Sequence, residues 1–96
     1  MYEFEASPWL WDAKAAWHFI TVPADISDDI EARQARGRRG FGSVAVLVTI
    51  GSSTWNTSVF PSTKLGAYVL PLKKQVRVKE GLAIDRLVSV ALELVG

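Results

Sequence analysis

The chain has 96 residues, of which 49% are hydrophobic and 22% charged, with a formal net charge of +1 and no cysteine. That length supports one hydrophobic core rather than two, and the apolar content excludes a disordered chain. The missing cysteine excludes disulfides, thiol catalysis and thiolate metal sites, and the longest apolar run, Val44 to Val48, falls far short of the roughly 20 residues that cross a bilayer as a helix, so no membrane partner is expected.

Tyr2, Phe4 and Ala6 alternate with Glu3, Glu5 and Ser7, the period of two expected of a strand with one wet face, and Ser7-Pro8 interrupts it. An acidic, alternating start differs from the basic and then apolar onset of an export signal, so a cytoplasmic location is expected. A second aromatic and β-branched run, Ala16 to Val22, closes at Pro23. The intervening Asp12-Ala13-Lys14 is short enough to be a hairpin connection, so these two strands are expected to pair.

Asp25, Asp28, Asp29 and Glu31 precede Arg33 and Arg36, Ile26 and Ile30 are four apart, and Gly37 follows. Acids early and bases late suit the helix dipole, which predicts a short helix with Asp25 or Ser27 as its N-cap. The basic, glycine-rich run from Arg36 to Gly42 reads as a loop. Val44, Val46, Val48 and Ile50 then alternate with Ser43, Ala45, Leu47 and Thr49, and with both faces mostly apolar this strand is expected to be central.

Gly51-Ser52-Ser53 is a turn into a return strand, Thr54 to Phe60, stopped by Pro61; a fifth strand, Ala67 to Leu70, is stopped by Pro71. Leu72 and Val76 share a helical face and Gly81 can follow the end, so Leu72 to Glu80 is read as a second short helix with Pro71 at its first position. Leu87 to Leu94 is the last strand, with Val88, Val90, Leu92 and Leu94 on one side. The order ββ-α-βββ-α-β does not make alternating βαβ units. It predicts a mainly β, small barrel of about six strands with two short helices, one domain over residues 1–96, closed or nearly closed because closure removes apolar sheet edges. Val46, Val48, Val90 and Leu92 are expected in its core.

Ala16-Trp17-His18-Phe19, Gly40-Phe41-Gly42-Ser43-Val44, Thr54 to Pro61, Tyr68 to Lys74 and Val76-Arg77, in this order, resemble a bacterial domain-of-unknown-function family numbered nineteen-oh-five. The resemblance covers nearly the whole chain. It implies a double-split β-barrel, similar in architecture to AbrB-like transcription regulators, with members sometimes joined to a bacteriocin-protection, OmpD-associated type of domain, and it implies no activity. Where the family pattern has Gly-Asp before the last strand, this chain has Asp85-Arg86. Asp tolerates a left-handed backbone better than most residues, so the turn is expected to survive.

His18 is the only histidine, so His-based zinc sites and Cys–His pairs are excluded by count. A Ser–His–Asp arrangement using His18 and Asp12 lacks any nucleophile elbow, and Asp28-Asp29 is better explained by the helix dipole than as a magnesium site. Gly37, Gly40 and Gly42 precede a strand and carry no Lys-Ser/Thr, unlike a phosphate loop. Arg39 to Val46 matches much of the octapeptide of RNA-recognition motifs, but Ser43 and Val46 stand where stacking aromatics are required. No catalytic residue, metal or cofactor is therefore expected.

Trp9, Trp11, Trp17 and Trp55 each fit either the lining of a ligand pocket or the core, with the core favoured, and Trp9 and Trp11 are the better candidates for an exposed aromatic surface. Charge is segregated: residues 1–31 hold seven acids and one base, residues 32–79 hold nine bases and no acid, and residues 80–96 hold three acids and one base. Arg33, Arg36, Arg38 and Arg39 are candidates for a basic face. Lys73, Lys74 and Arg77 crowd the expected start of the second helix, where the dipole disfavours cations, and form a candidate anion site. The expected function is a non-catalytic binding module for a protein or small ligand, a monomer or weak homodimer, the alternative being a binder of nucleic acid or another polyanion through the basic face.

Overall fold

A computed structural model describes residues 1–11, 17–35 and 42–95. It has seven antiparallel strands where six were expected, together with two helices: β1 (Tyr2–Ala6), β2 (Trp9–Trp11), β3 (Trp17–Thr21), α1 (Ala24–Ala35), β4 (Val44–Ile50), β5 (Ser53–Ser62), β6 (Ala67–Pro71), α2 (Lys74–Glu80) and β7 (Val88–Leu94). The strands join as one sheet in the order β1-β7-β4-β5-β6-β3-β2. Its edge strands, β1 and β2, are separated only by Ser7 and Pro8, so the sheet must curl until its edges approach. The result is a curled half-barrel. Pro8 is fully buried at that corner, and its carbonyl accepts a hydrogen bond from the Asp85 N–H at 3.2 Å.

The expected pairing of β1 with β3 is not made. β1 pairs with β7, from Tyr2 opposite Leu92 to Ala6 opposite Val88, while β3 lies between β2 and β6. The alternation in β1 gives the reason: Tyr2, Phe4 and Ala6 continue the inner face of Leu92, Val90 and Val88 and pack against the core. The hairpin expected across residues 12–14 instead joins β3 to the short β2, and its loop lies outside the described residues.

β4 and β7 follow the alternation in the sequence. Val46, Val48 and Leu92 are fully buried and Val90 nearly so, and β4 is flanked by β7 and β5. Ile20, Val22, Ile30, Val59 and Leu70 complete the centre of the core.

Pro61 does not stop β5, which runs on to Ser62. The β4 ladder ends at Val44 opposite Val59, so at Pro61 only the β6 side is paired and the missing N–H breaks no ladder on the other side. Pro71 is likewise the last residue of β6, opposite Phe19, rather than the start of a helix.

α1 begins at Ala24, which places Asp25 and Ser27 inside the first turns rather than at the cap. Ser27 is buried: its hydroxyl donates to the Val22 carbonyl and accepts from the Tyr68 N–H, both at 3.0 Å, stitching α1 to β6. A short polar side chain that bridges two main-chain groups serves the tertiary structure better than it would serve a cap.

α2 begins at Lys74, with Lys73 as an extended N-cap residue that makes no side-chain cap hydrogen bond. It ends as the sequence predicts, with left-handed Gly81 donating to the Arg77 and Val78 carbonyls. Asp85 is left-handed too, at φ 68°, and the turn before β7 survives without its glycine.

Candidate functional site: a cationic cleft where the barrel splits

The site arises from one strand changing partners. β5 pairs with β4 from Ser53 to Val59 but with β6 only from Phe60 to Ser62, while β6 continues along β3 as far as Pro71. Beyond the Phe60–Val69 pair, β5 and β6 therefore diverge. Along Trp55 to Thr57 the second side of β5 has no ladder partner among the described residues, and half of its main-chain groups point that way.

A cleft of about 370 Å3 occupies this split. The register of β5 against Val48 and Val46 places Trp55 and Thr57 on the inner face of the sheet, and His18, two residues from buried Ile20, projects from the inner face of β3. Pro71 and Leu72 close one side where the chain leaves β6, and the Leu72 N–H is held by the His18 carbonyl at 2.9 Å. Lys73, Lys74 and Arg77 line the cleft from α2. The three cations of the candidate anion site thus share one concavity with aromatic walls.

Arg77 is half-buried and its Nε donates to the Leu72 carbonyl at 3.2 Å, which fixes the guanidinium and leaves its other N–H groups for a second partner. Lys73 and Lys74 are exposed, and among the described residues no carboxylate pairs with either. The site owes nothing to a helix dipole, since α2 has only seven residues; its positive character comes from side chains. His18 Nδ1 is enclosed and has no hydrogen-bond partner among the described residues.

The candidate basic face is placed differently. Arg33 forms an i,i+4 ion pair with Asp29 at 3.0 Å, and Asp29 also accepts a hydrogen bond from the Tyr2 hydroxyl, which docks α1 against β1. The Tyr2 hydroxyl and Arg33 hold the Asp29 carboxyl below its ordinary range. Arg36, Arg38 and Arg39 lie outside the described residues. No described contact joins Arg33 to the cleft.

Trp9 and Trp11 fall on the outer face of the β2–β3 hairpin, opposite Phe19 and Trp17. Phe19 is the hub: its ring centroid lies 5.3 Å from Trp9, 6.3 Å from Trp11 and 6.1 Å from Trp17. Trp9 is half-buried and its indole N–H donates to Thr21 Oγ1 at 2.9 Å, whereas Trp11 and Trp17 stay 53% and 50% exposed. The expectation that Trp17 belongs to the core is corrected, because β3 turns Ile20 inward and Trp17 outward. Trp17 also lines the cleft, a role that emerges only from the β2–β3 register and the split. Trp55 is half-buried and packs on the core.

Glu80 escaped the sequence reading as well. Its carboxylate accepts from the hydroxyls of Ser52 and Ser53 and ties the end of α2 to the β4–β5 turn. The one signal was its place as the first acid after a long stretch of bases only.

Fold and site together define a small, mainly β, curled half-barrel with two short helices, one of which lines a cleft at a split in the sheet. The chain belongs to the family described as Domain of unknown function (DUF1905), which it matches over residues 4–92. No curated protein matches the chain. No helix among the described residues is long and apolar enough to cross a membrane, and no three acidic or histidine side chains among them converge as metal ligands.

Proposed function

We propose that this domain is a non-catalytic, cytoplasmic binding module that takes a small anionic ligand in the split of its barrel. The observation that carries the reading is the convergence of Lys73, Lys74 and Arg77 on one cleft whose described lining holds no carboxylate and in which none of the three forms a described ion pair. Three like charges on adjacent turns repel one another unless something negative is near, and a concave, partly apolar surface concentrates their field on whatever enters it.

Calorimetric titration with pyrophosphate at low ionic strength tests this. Saturable binding that weakens with added salt is expected, together with its loss in Lys73→Ser/Lys74→Ser, whose melting temperature should equal or exceed that of the parent because repulsion is relieved. No binding by the parent, or equal binding by the double variant, overturns the proposal.

A further inference from the structure

The cationic cleft and the exposed aromatic face are not separate features, because Trp17 belongs to both. Its ring stacks against Phe19 on the outer face of the hairpin, at an interplanar angle of 17°, and it lines the cleft beside Lys73 and Lys74. Trp11, directly opposite Trp17 in the β2–β3 register, extends the same face and leaves half of its own surface in water. Two half-exposed indoles at one cross-strand pair, both packed on Phe19, cost hydration free energy and offer flat π-faces to a partner.

We infer that the anion received by the cleft is the phosphate backbone of a single-stranded nucleic acid, whose bases stack on Trp17 and Trp11. This rests on the anionic-ligand reading of the cleft and extends it from a free small anion to one phosphate group of a longer polymer. A single strand carries a phosphate and a free aromatic face on every nucleotide, which is the alternation that a cationic rim bordering an indole platform complements. A duplex conceals its base faces, and an acidic peptide brings charge without flat rings. Recognition of this kind tolerates many sequences, since every base has a π-face, and it depends on salt through the phosphates that Lys73, Lys74 and Arg77 neutralise. With about three such contacts, affinity for a single strand should fall roughly 20-fold between about 50 and about 200 mM salt.

The probes are octathymidylate and octauridylate, with pyrophosphate and a polyglutamate of matching charge as controls. They are titrated against the intact chain while its tryptophan fluorescence is followed. The inference expects both oligonucleotides to bind more tightly than either control, to quench fluorescence, and to weaken about tenfold in Trp17→Ala but little in Trp17→Phe, which keeps a stacking ring. Trp17 is half-exposed, so melting temperature and circular dichroism should show both variants folded. If the oligonucleotides bind no better than pyrophosphate, or polyglutamate binds equally well, or Trp17→Ala binds like the parent, the nucleic-acid inference fails while the anion-binding cleft stands. If pyrophosphate and the oligonucleotides both fail to bind, the two fall together.

Discussion

The carboxylate of Glu80, the last residue of α2, accepts hydrogen bonds from Ser53 Oγ at 2.5 Å and Ser52 Oγ at 3.0 Å. This relationship spans 27 residues and makes the β4–β5 turn the anchor of the helix that carries Lys73, Lys74 and Arg77. The Ser53 hydroxyl, more than any other neighbour, holds the Glu80 carboxyl below its ordinary value of 4.5.

A carboxylate whose folded pKa lies below its unfolded value adds stability that is complete above the unfolded value and disappears as pH falls through the folded one. Glu80→Gln should therefore melt below the parent at neutral pH, with the gap narrowing as the pH drops beneath 4.5. Thermal melts of both proteins across that range provide the check. A gap that does not change with pH would assign the loss to packing rather than to charge.

Gly51 is the second prediction. It sits at φ 59°, and a Cβ placed there would collide with Glu80 Oε1. Gly51→Ala should cost about 1–2 kcal/mol for the left-handed backbone alone, with a further loss from pushing the carboxylate off its serines. Gly81 has φ 63° with open space around it, so Gly81→Ala should show the backbone cost only. Denaturant melts of the two variants, and of Gly51→Ala combined with Glu80→Gln, separate the terms: the Glu80 change should cost less in the Gly51→Ala background than alone.

Ser27→Ala is the third. Removing the hydroxyl leaves the Tyr68 N–H without its acceptor in a buried site, at a cost of about 1–3 kcal/mol, more than an exposed serine in a helix would cause. Ser27→Thr keeps the oxygen but adds a methyl to a packed contact, and it should fall between the two. Urea unfolding measures both, and an unchanged midpoint for Ser27→Ala would mean that the bridge between α1 and β6 contributes nothing.

The sequence by itself determined those features that a residue decides together with its near neighbours. Alternation marked β4 and β7 because one face of each is buried, Gly81 marked the end of α2 because only a residue at ease with positive φ closes a helix in that way, and Asp85 could replace a glycine for the same reason. Lys73, Lys74 and Arg77 were legible as a cluster because three cations on adjacent turns break a local rule. The tertiary structure alone decided which strand lies beside which. β1 pairs with a strand more than eighty residues away, and no short-range pattern encodes a partner at that distance; the register is fixed by joining apolar faces into one core. The same holds for the cleft. His18 from β3 and Trp55 from β5 meet the cations of α2 only because β5 leaves β6 at Phe60, and Trp17 joins aromatic face to cationic rim only because the hairpin turns it outward at the edge of that split.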